Sequence, residues 1–186
     1  VEFFLLDNRF HRSPKESTEA DRGMLGEKQL HWLRESLQSS NATFKIIVGG
    51  NQMINPLTPW EAWAEYPEEQ KRFFEFLKSS KIEGVLFISG DRHYAELLKR
   101  NDLTEYPLYD FTSSPLSAGN SRPNKDKEAN NPYRVNGTLV LDVKNFGMIE
   151  VSGKAKERKL TLKSIAGSGK EHWRHEITEG ELKVKK

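Results

Sequence analysis

This chain of 186 residues predicts an α/β fold, β-α-β-α-β followed by mostly antiparallel strands, and three observations carry that expectation. Three apolar runs with β-branched or aromatic residues, Val1 to Leu6, Thr43 to Val48 and Val85 to Ser89, end abruptly in polar residues or glycine, as buried strands do. Between them lie two stretches whose apolar residues recur at helical spacing. Beyond about Tyr106 that spacing gives way to short runs that alternate or stay apolar, with turns between them.

The first strand closes on Asp7-Asn8-Arg9-Phe10-His11-Arg12, and a polar loop follows from Ser13 to about Gly23. Leu30, Leu33 and Leu37, with Trp32 beside them, put an amphipathic helix over Glu27 to Ser39. Asn41-Ala42 turns the chain into the second strand, which ends at Gly49-Gly50-Asn51-Gln52. A long loop holding Pro56, Pro59, Trp60, Trp63 and Tyr66 leads to a second helix at Pro67-Glu68-Glu69. Proline is tolerated in a first helical turn, and acidic residues suit the positive end of the helix dipole. Phe73, Phe74, Phe76 and Leu77 give that helix a broad apolar face; Ser79-Ser80-Lys81 and Gly84 break it before the third strand.

Tyr106 to Thr112 reads as a further strand running into Ser113-Ser114-Pro115, and Asn120 to Asn131 as a loop. Thr138 to Val143, Gly147 to Val151, Lys159 to Ala166 and His172 to Ile177 read as antiparallel strands, with Gly167-Ser168-Gly169 as a hairpin turn. The whole reads as a single unit over 1–186, α/β over 1–115 and β-rich over 116–186. A strand at the very first residue, without Met, suggests a chain cut from something longer.

Composition narrows the chemistry. A formal net charge of +2 does not call for nucleic acid as a dedicated partner. No window approaches a membrane-spanning apolar run. With 0 cysteines there are no disulfides, thiolate-bound zinc or cysteine nucleophiles, so any metal is held by oxygen and nitrogen.

If the first three strands lie parallel, Asp7-Asn8-Arg9, Gly50-Asn51-Gln52 and Gly90-Asp91-Arg92-His93 gather at one sheet edge, where open α/β sheets bind ligands. Gly90 would let the backbone turn sharply. The Asp91 carboxylate and His93 imidazole, two apart in a tight turn, can converge on one cation of the zinc, iron or manganese kind. Read alone, that segment is better explained as a strand-end turn with a solvated Asp-Arg pair and a surface histidine. Three such clusters at successive strand ends shift the balance to a functional edge.

The succession LDNRF, MLGEKQLHWL, TFKIIVGGNQ, GVLFISGDRHYAEL and YPLYDFTSSPLS resembles the C-terminal half of the PhoD-like alkaline phosphatase/phosphodiesterase family, one of the binuclear metallophosphoesterases. The resemblance covers roughly residues 1 to 150. It implies the C-terminal part of an αββα sandwich whose N-terminal half is absent here. It also implies metal-dependent hydrolysis of phosphate mono- or diesters in the intact protein, in an extracytoplasmic setting (periplasmic, secreted or surface-anchored). The metals would be divalent or trivalent: Ca, Fe, Zn or Mn. Asp91 and His93 are similar to the two ligand positions of the family's late motif, and Asn51 stands where an earlier motif has histidine. Asn51 or the neighbouring Gln52 could instead hold a water or a phosphate oxygen.

Early motifs that supply a bridging carboxylate lie outside these residues, so the chain alone is expected to be inactive. Catalytic roles fall on Arg9 and His93. Arg9 and Arg92 are candidates for clamping phosphoryl oxygens, since guanidinium matches phosphate in a bidentate fashion; the competing reading of Arg92 is a surface pair with Glu96. Asp7 is a candidate for orienting a ligand or a strand-end cap. Trp60, with Trp63 and Tyr66, could wall a pocket or form a small core under the loop, and the Tyr94 hydroxyl could reach the site. His11, His31, His172 and His175 are read as non-ligands. Ser113 and Ser114 lack a Gly-x-Ser-x-Gly elbow and read as a supporting strand end. The competing function is a non-catalytic extracellular β-rich binding or structural module with a lapsed site.

Overall fold

The computed structural model describes residues 1–184 apart from 15 and 19–21. Its first sheet runs β1 (Glu2–Leu5), β2 (Lys45–Val48), β3 (Val85–Ser89), β5 (Leu108–Thr112) and β4 (Glu96–Arg100) in spatial order. All pairs are parallel except β4 with β5. Helices α1 (Glu27–Ser39) and α2 (Pro67–Ser79) connect β1 to β2 and β2 to β3. Both crossovers step the same way across the sheet, and right-handed connections therefore set both helices on one face. Phe74 of α2 meets Phe87 of β3 edge to face there, ring centroids 6.4 Å apart.

The opposite face meets a second, antiparallel sheet, β6 (Asn145–Ser152), β7 (Lys159–Ala166) and β8 (Glu171–Thr178). Phe111 of β5 packs on Trp173 of β8 at 5.1 Å. This sheet does not reach across the first. Along the in-register row Leu5, Val48, Ile88, Phe111, Leu5 is 71% exposed and Phe111 only 1%. Phe3 and Leu116 are also exposed, at 55% and 69%. Parallel sheets are ordinarily covered on both faces, so the β1–β3 side presents an apolar surface with no layer over it among the described residues.

Two elements depart from the expected order. Thr138 to Val143 is not a strand: its regular pairing is reduced to one bridge, Val140 with Ala95. The edge of the first sheet is instead β4, whose Glu-Leu-Leu-Lys-Arg sequence hid it, because three of five residues are charged. Glu96 is fully buried all the same, paired with Arg134 at 2.6 Å. The Gly167–Gly169 hairpin joins β7 to β8 as expected.

Candidate active site

Because β1, β2 and β3 are parallel and in register, their C-terminal ends align, and the three polar clusters meet there. Asn8 Nδ2 donates to Asn51 Oδ1 at 2.9 Å, and Asn51 Nδ2 donates to Asp91 Oδ2 at 3.0 Å. One residue from each strand end thus forms a single chain of hydrogen bonds. Asn8 Oδ1 accepts from the Gly50 amide, which fixes the direction of that chain: Asn51 presents its NH2, not its carbonyl, to Asp91. In this arrangement Asn51 turns its NH2 to Asp91 and its carbonyl to Asn8, and so braces the Asp91 carboxylate.

The turn after β3 is strained where the sequence did not suggest it. Gly90 needs no special conformation; Asp91 and His93 have φ of 65° and 60°, a region that side-chain-bearing residues seldom occupy. The Arg92 amide donates to the Gly90 carbonyl at 2.8 Å across Asp91, the bond of a positive-φ γ-turn, the rarer and more strained kind. Such outliers cost about 1–3 kcal/mol each and concentrate at functional sites. The His93 backbone is held on both sides, its amide by Ser114 Oγ at 2.6 Å and its carbonyl by the Ser121 amide at 3.0 Å. That hydrogen bond accounts for Ser114 as support for the turn.

Asp91 and His93 line a cavity of about 440 Å³ together with Arg9, Trp60, Glu61 and Arg122. A second cavity of about 510 Å³ shares Arg9, Trp60 and Glu61 and adds Arg12 and Tyr66. Trp60, 60% exposed, stands between the two. Glu61, which the sequence did not single out, takes Arg9 at 2.6 Å and Arg12 at 3.0 Å. The Arg12 guanidinium holds the Glu61 carboxyl below the ordinary carboxylate range. Arg122 pairs with Asp142. No feature of their local sequence marks Glu61 or Arg122 as site residues.

Several expected contributors lie beneath the site, not in it. Arg92 touches the cavity edge, but its side chain is 5% exposed and its partner is Glu128 at 2.6 Å, not Glu96. Its role as a phosphate clamp is corrected: its Nε, Nη1 and Nη2 donate to Tyr94, Thr58 and Glu128. Tyr94 is buried to 1% and spends its hydroxyl as acceptor for Arg92, so it does not reach the site. Burial pushes its phenol far up. Gln52 is fully buried, its Nε2 donating to Glu96 at 2.7 Å and Thr112 at 2.9 Å, which removes it as a phosphate or water holder.

Asp7 Oδ1 accepts the Arg9 and Phe10 amides at 2.8 and 2.9 Å. It caps the turn that carries Arg9, and those two bonds hold its carboxyl below its usual range. Trp63 belongs to the core, its indole donating to Glu69 at 2.7 Å. His31 pairs with Glu35 on the α1 surface, and half-buried His175 lies beside Tyr109 at 5.4 Å.

The donor chemistry at the lip, one carboxylate and one imidazole, suits a hard or borderline cation. It does not complete a site: among the described residues no group of three or more His, Cys, Asp or Glu is arranged to hold a metal ion.

Comparison with known proteins bears on family and fold. The family model described as PhoD-like phosphatase matches residues 1–162. Alkaline phosphatase D of Bacillus subtilis (strain 168) is 26% identical over 110 residues, covering 49% of this chain and 19% of that protein. A solved structure described as the structure of PhoD superimposes with a TM-score of 0.65 at 16% identity, over 96% of this chain and 39% of the other. The fold is thus the α/β sandwich of that structure, and this chain spans well under half the length of either protein. With the family model matching most of its length, the chain belongs to the PhoD-like phosphatase family.

Proposed function

We propose that this chain supplies one lip of a phosphoesterase site that hydrolyses phosphate mono- or diesters with the help of a metal ion. The observation that carries the reading is the pair Asp91 and His93, both in left-handed backbone, facing one cavity with Arg9 and Trp60 at the ends of parallel strands. Asp91 and His93 would hold a divalent or trivalent ion (Ca, Fe, Zn or Mn), whose chemistry when bound is Lewis acidity toward a phosphoryl oxygen and activation of water.

This chain's own residues do the rest. Asn51 keeps one Asp91 oxygen occupied and leaves the other for the cavity. Arg9 is 58% exposed and its pair with Glu61 is worth little in water. A phosphoryl group can therefore take Arg9 from Glu61 and have its charge offset as bonds rearrange. The exposed Trp60 face suits an apolar or ring-bearing ester group.

We further infer that the remaining metal ligands come from sequence corresponding to the rest of the longer relatives, and that the same sequence covers the bare face at Phe3 and Leu5. The isolated chain is then inactive, and the complete protein works outside the cytoplasm. Among the described residues no helix is long and apolar enough to cross a membrane. The test is metal content by mass spectrometry and hydrolysis of aryl phosphate mono- and diesters. It compares this chain with a form extended to the length of its relatives. Chelator-sensitive turnover in the extended form, lost with metal in Asp91→Ala, is expected. An extended form that turns over neither ester with Ca, Fe, Zn or Mn would leave the alternative, a binding module with a lapsed site.

A further inference from the structure

We propose that Glu128 is a positioning residue that aims Asp91 and His93 through Arg92; this rests on reading those two residues as the cation-facing lip. Two strained residues flanking one ordinary residue need something to hold them, and the residue between them is the fastening. Arg92 Nε and Nη2 donate to the Tyr94 hydroxyl at 3.0 and 2.8 Å, and Nη1 donates to Thr58 Oγ1 at 2.6 Å. Nη2 also reaches both Glu128 oxygens at 2.8 and 2.6 Å. With Arg92 drawn inward, its neighbours on either side are turned toward the cavity.

Glu128 is the charged end of that fastening and is itself immobilised. It is 0% exposed, and it accepts from Asn55 Nδ2 and from the Asn124 amide, both at 3.0 Å. The loop that carries it also sends the Ser121 amide to the His93 carbonyl. One loop therefore grips the turn twice, at the Arg92 side chain and at the His93 backbone. For stability alone a buried ion pair is a poor choice, since apolar residues of similar volume often do as well or better. Held at Nη2 by Glu128, at Nε and Nη2 by Tyr94 and at Nη1 by Thr58, the planar guanidinium has one orientation, and direction is what the Asp91–His93 turn requires.

The test uses the isolated chain and reads φ, not activity. HN–Hα couplings of Asp91 and His93 are measured by NMR in wild type, Glu128→Gln and the double variant Arg92→Met/Glu128→Leu. Zn2+ is titrated against the His93 imidazole resonances, and thermal midpoints are recorded. Glu128→Gln is expected to shift both couplings away from the positive-φ values and to raise the Zn2+ concentration at half-response at least fivefold. The double variant, which leaves no orphaned charge but strands the Asn124 amide, regains part of the thermal stability lost in Glu128→Gln and neither the couplings nor the Zn2+ response. Couplings and Zn2+ response unchanged in Glu128→Gln would overturn the proposal. So would a double variant that recovers all three readouts, since Glu128 would then act through stability alone. Should Glu128→Gln not fold, the double variant carries the same comparison. A His93 that ignores Zn2+ both here and in the form extended to the length of the relatives would overturn the metal reading of the lip, while the couplings would still decide the role of Glu128.

Discussion

Glu69 offers the sharpest test of how the arm bearing Arg9 is held. It lies in the first turn of α2, 1% exposed, and its carboxylate collects four N–H groups. Those of Met24, Leu25 and Gly26, at 2.8, 3.2 and 2.9 Å, come from the turn before α1, and the Trp63 indole follows at 2.7 Å. The same turn closes the arm, since Ser13 and Gly23 bond each other twice. Replacing Glu69 by Ala orphans all four donors. Even at the low end of about 1–3 kcal/mol for each unsatisfied buried group, the loss is about 4 kcal/mol. Domain stabilities are only about 5–15 kcal/mol.

Glu69→Gln is the more informative change. It keeps one acceptor oxygen, turns an NH2 toward donors that need an acceptor, and removes charge assistance from the remaining bonds. The expected loss is about 3 kcal/mol, read by urea unfolding followed through tryptophan fluorescence. Faster hydrogen exchange at the Ser13 amide should accompany it. Gly23→Ala should act on the same point, because a Cβ there would sit 2.2 Å from Glu69 Oε1. If Glu69→Gln unfolds within about 0.5 kcal/mol of wild type, the scatter of ordinary surface substitutions, the carboxylate is not what holds the arm.

Two other outcomes are expected. Burial raises Asp110 to about 6 despite bonds from Ser89 and from the Met53 and Ile54 amides. The folded state therefore binds its proton more tightly than the unfolded chain. Stability attributable to Asp110 is fully present below pH ~4 and falls by about 3 kcal/mol as pH rises to ~6. The difference between wild type and Asp110→Asn in urea titrations across that window should show this slope, and a flat difference would refute it. In an active extended form, Arg9→Ala should lower kcat/KM by roughly one to three powers of ten with metal content unchanged. Loss of stability with full specific activity in the folded fraction would make Arg9 a structural partner of Glu61.

By itself the sequence determined the helices, all four parallel strands, the hairpin at Gly167–Gly169 and the strand ends where polar residues collect. These rest on local periodicity and turn chemistry, which neighbouring residues carry between them. The placement of Asp91 and His93 just beyond β3, beside one cavity, was legible for the same reason. The tertiary structure alone decided what each polar residue faces. Arg9 and Arg92 are both arginines at strand ends, yet one lies 58% exposed on Glu61 and the other is locked to Glu128 from a loop 36 residues away. Gln52 and Asn51 are adjacent, and one sits under the sheet while the other orients Asp91. β4 escaped notice because three of its five residues are charged, and two of those charges meet partners distant in sequence, Glu96 with Arg134 and Lys99 with Glu181. Hydrogen-bond partners for buried polar groups are set by which surfaces meet in three dimensions, and no local pattern encodes that meeting.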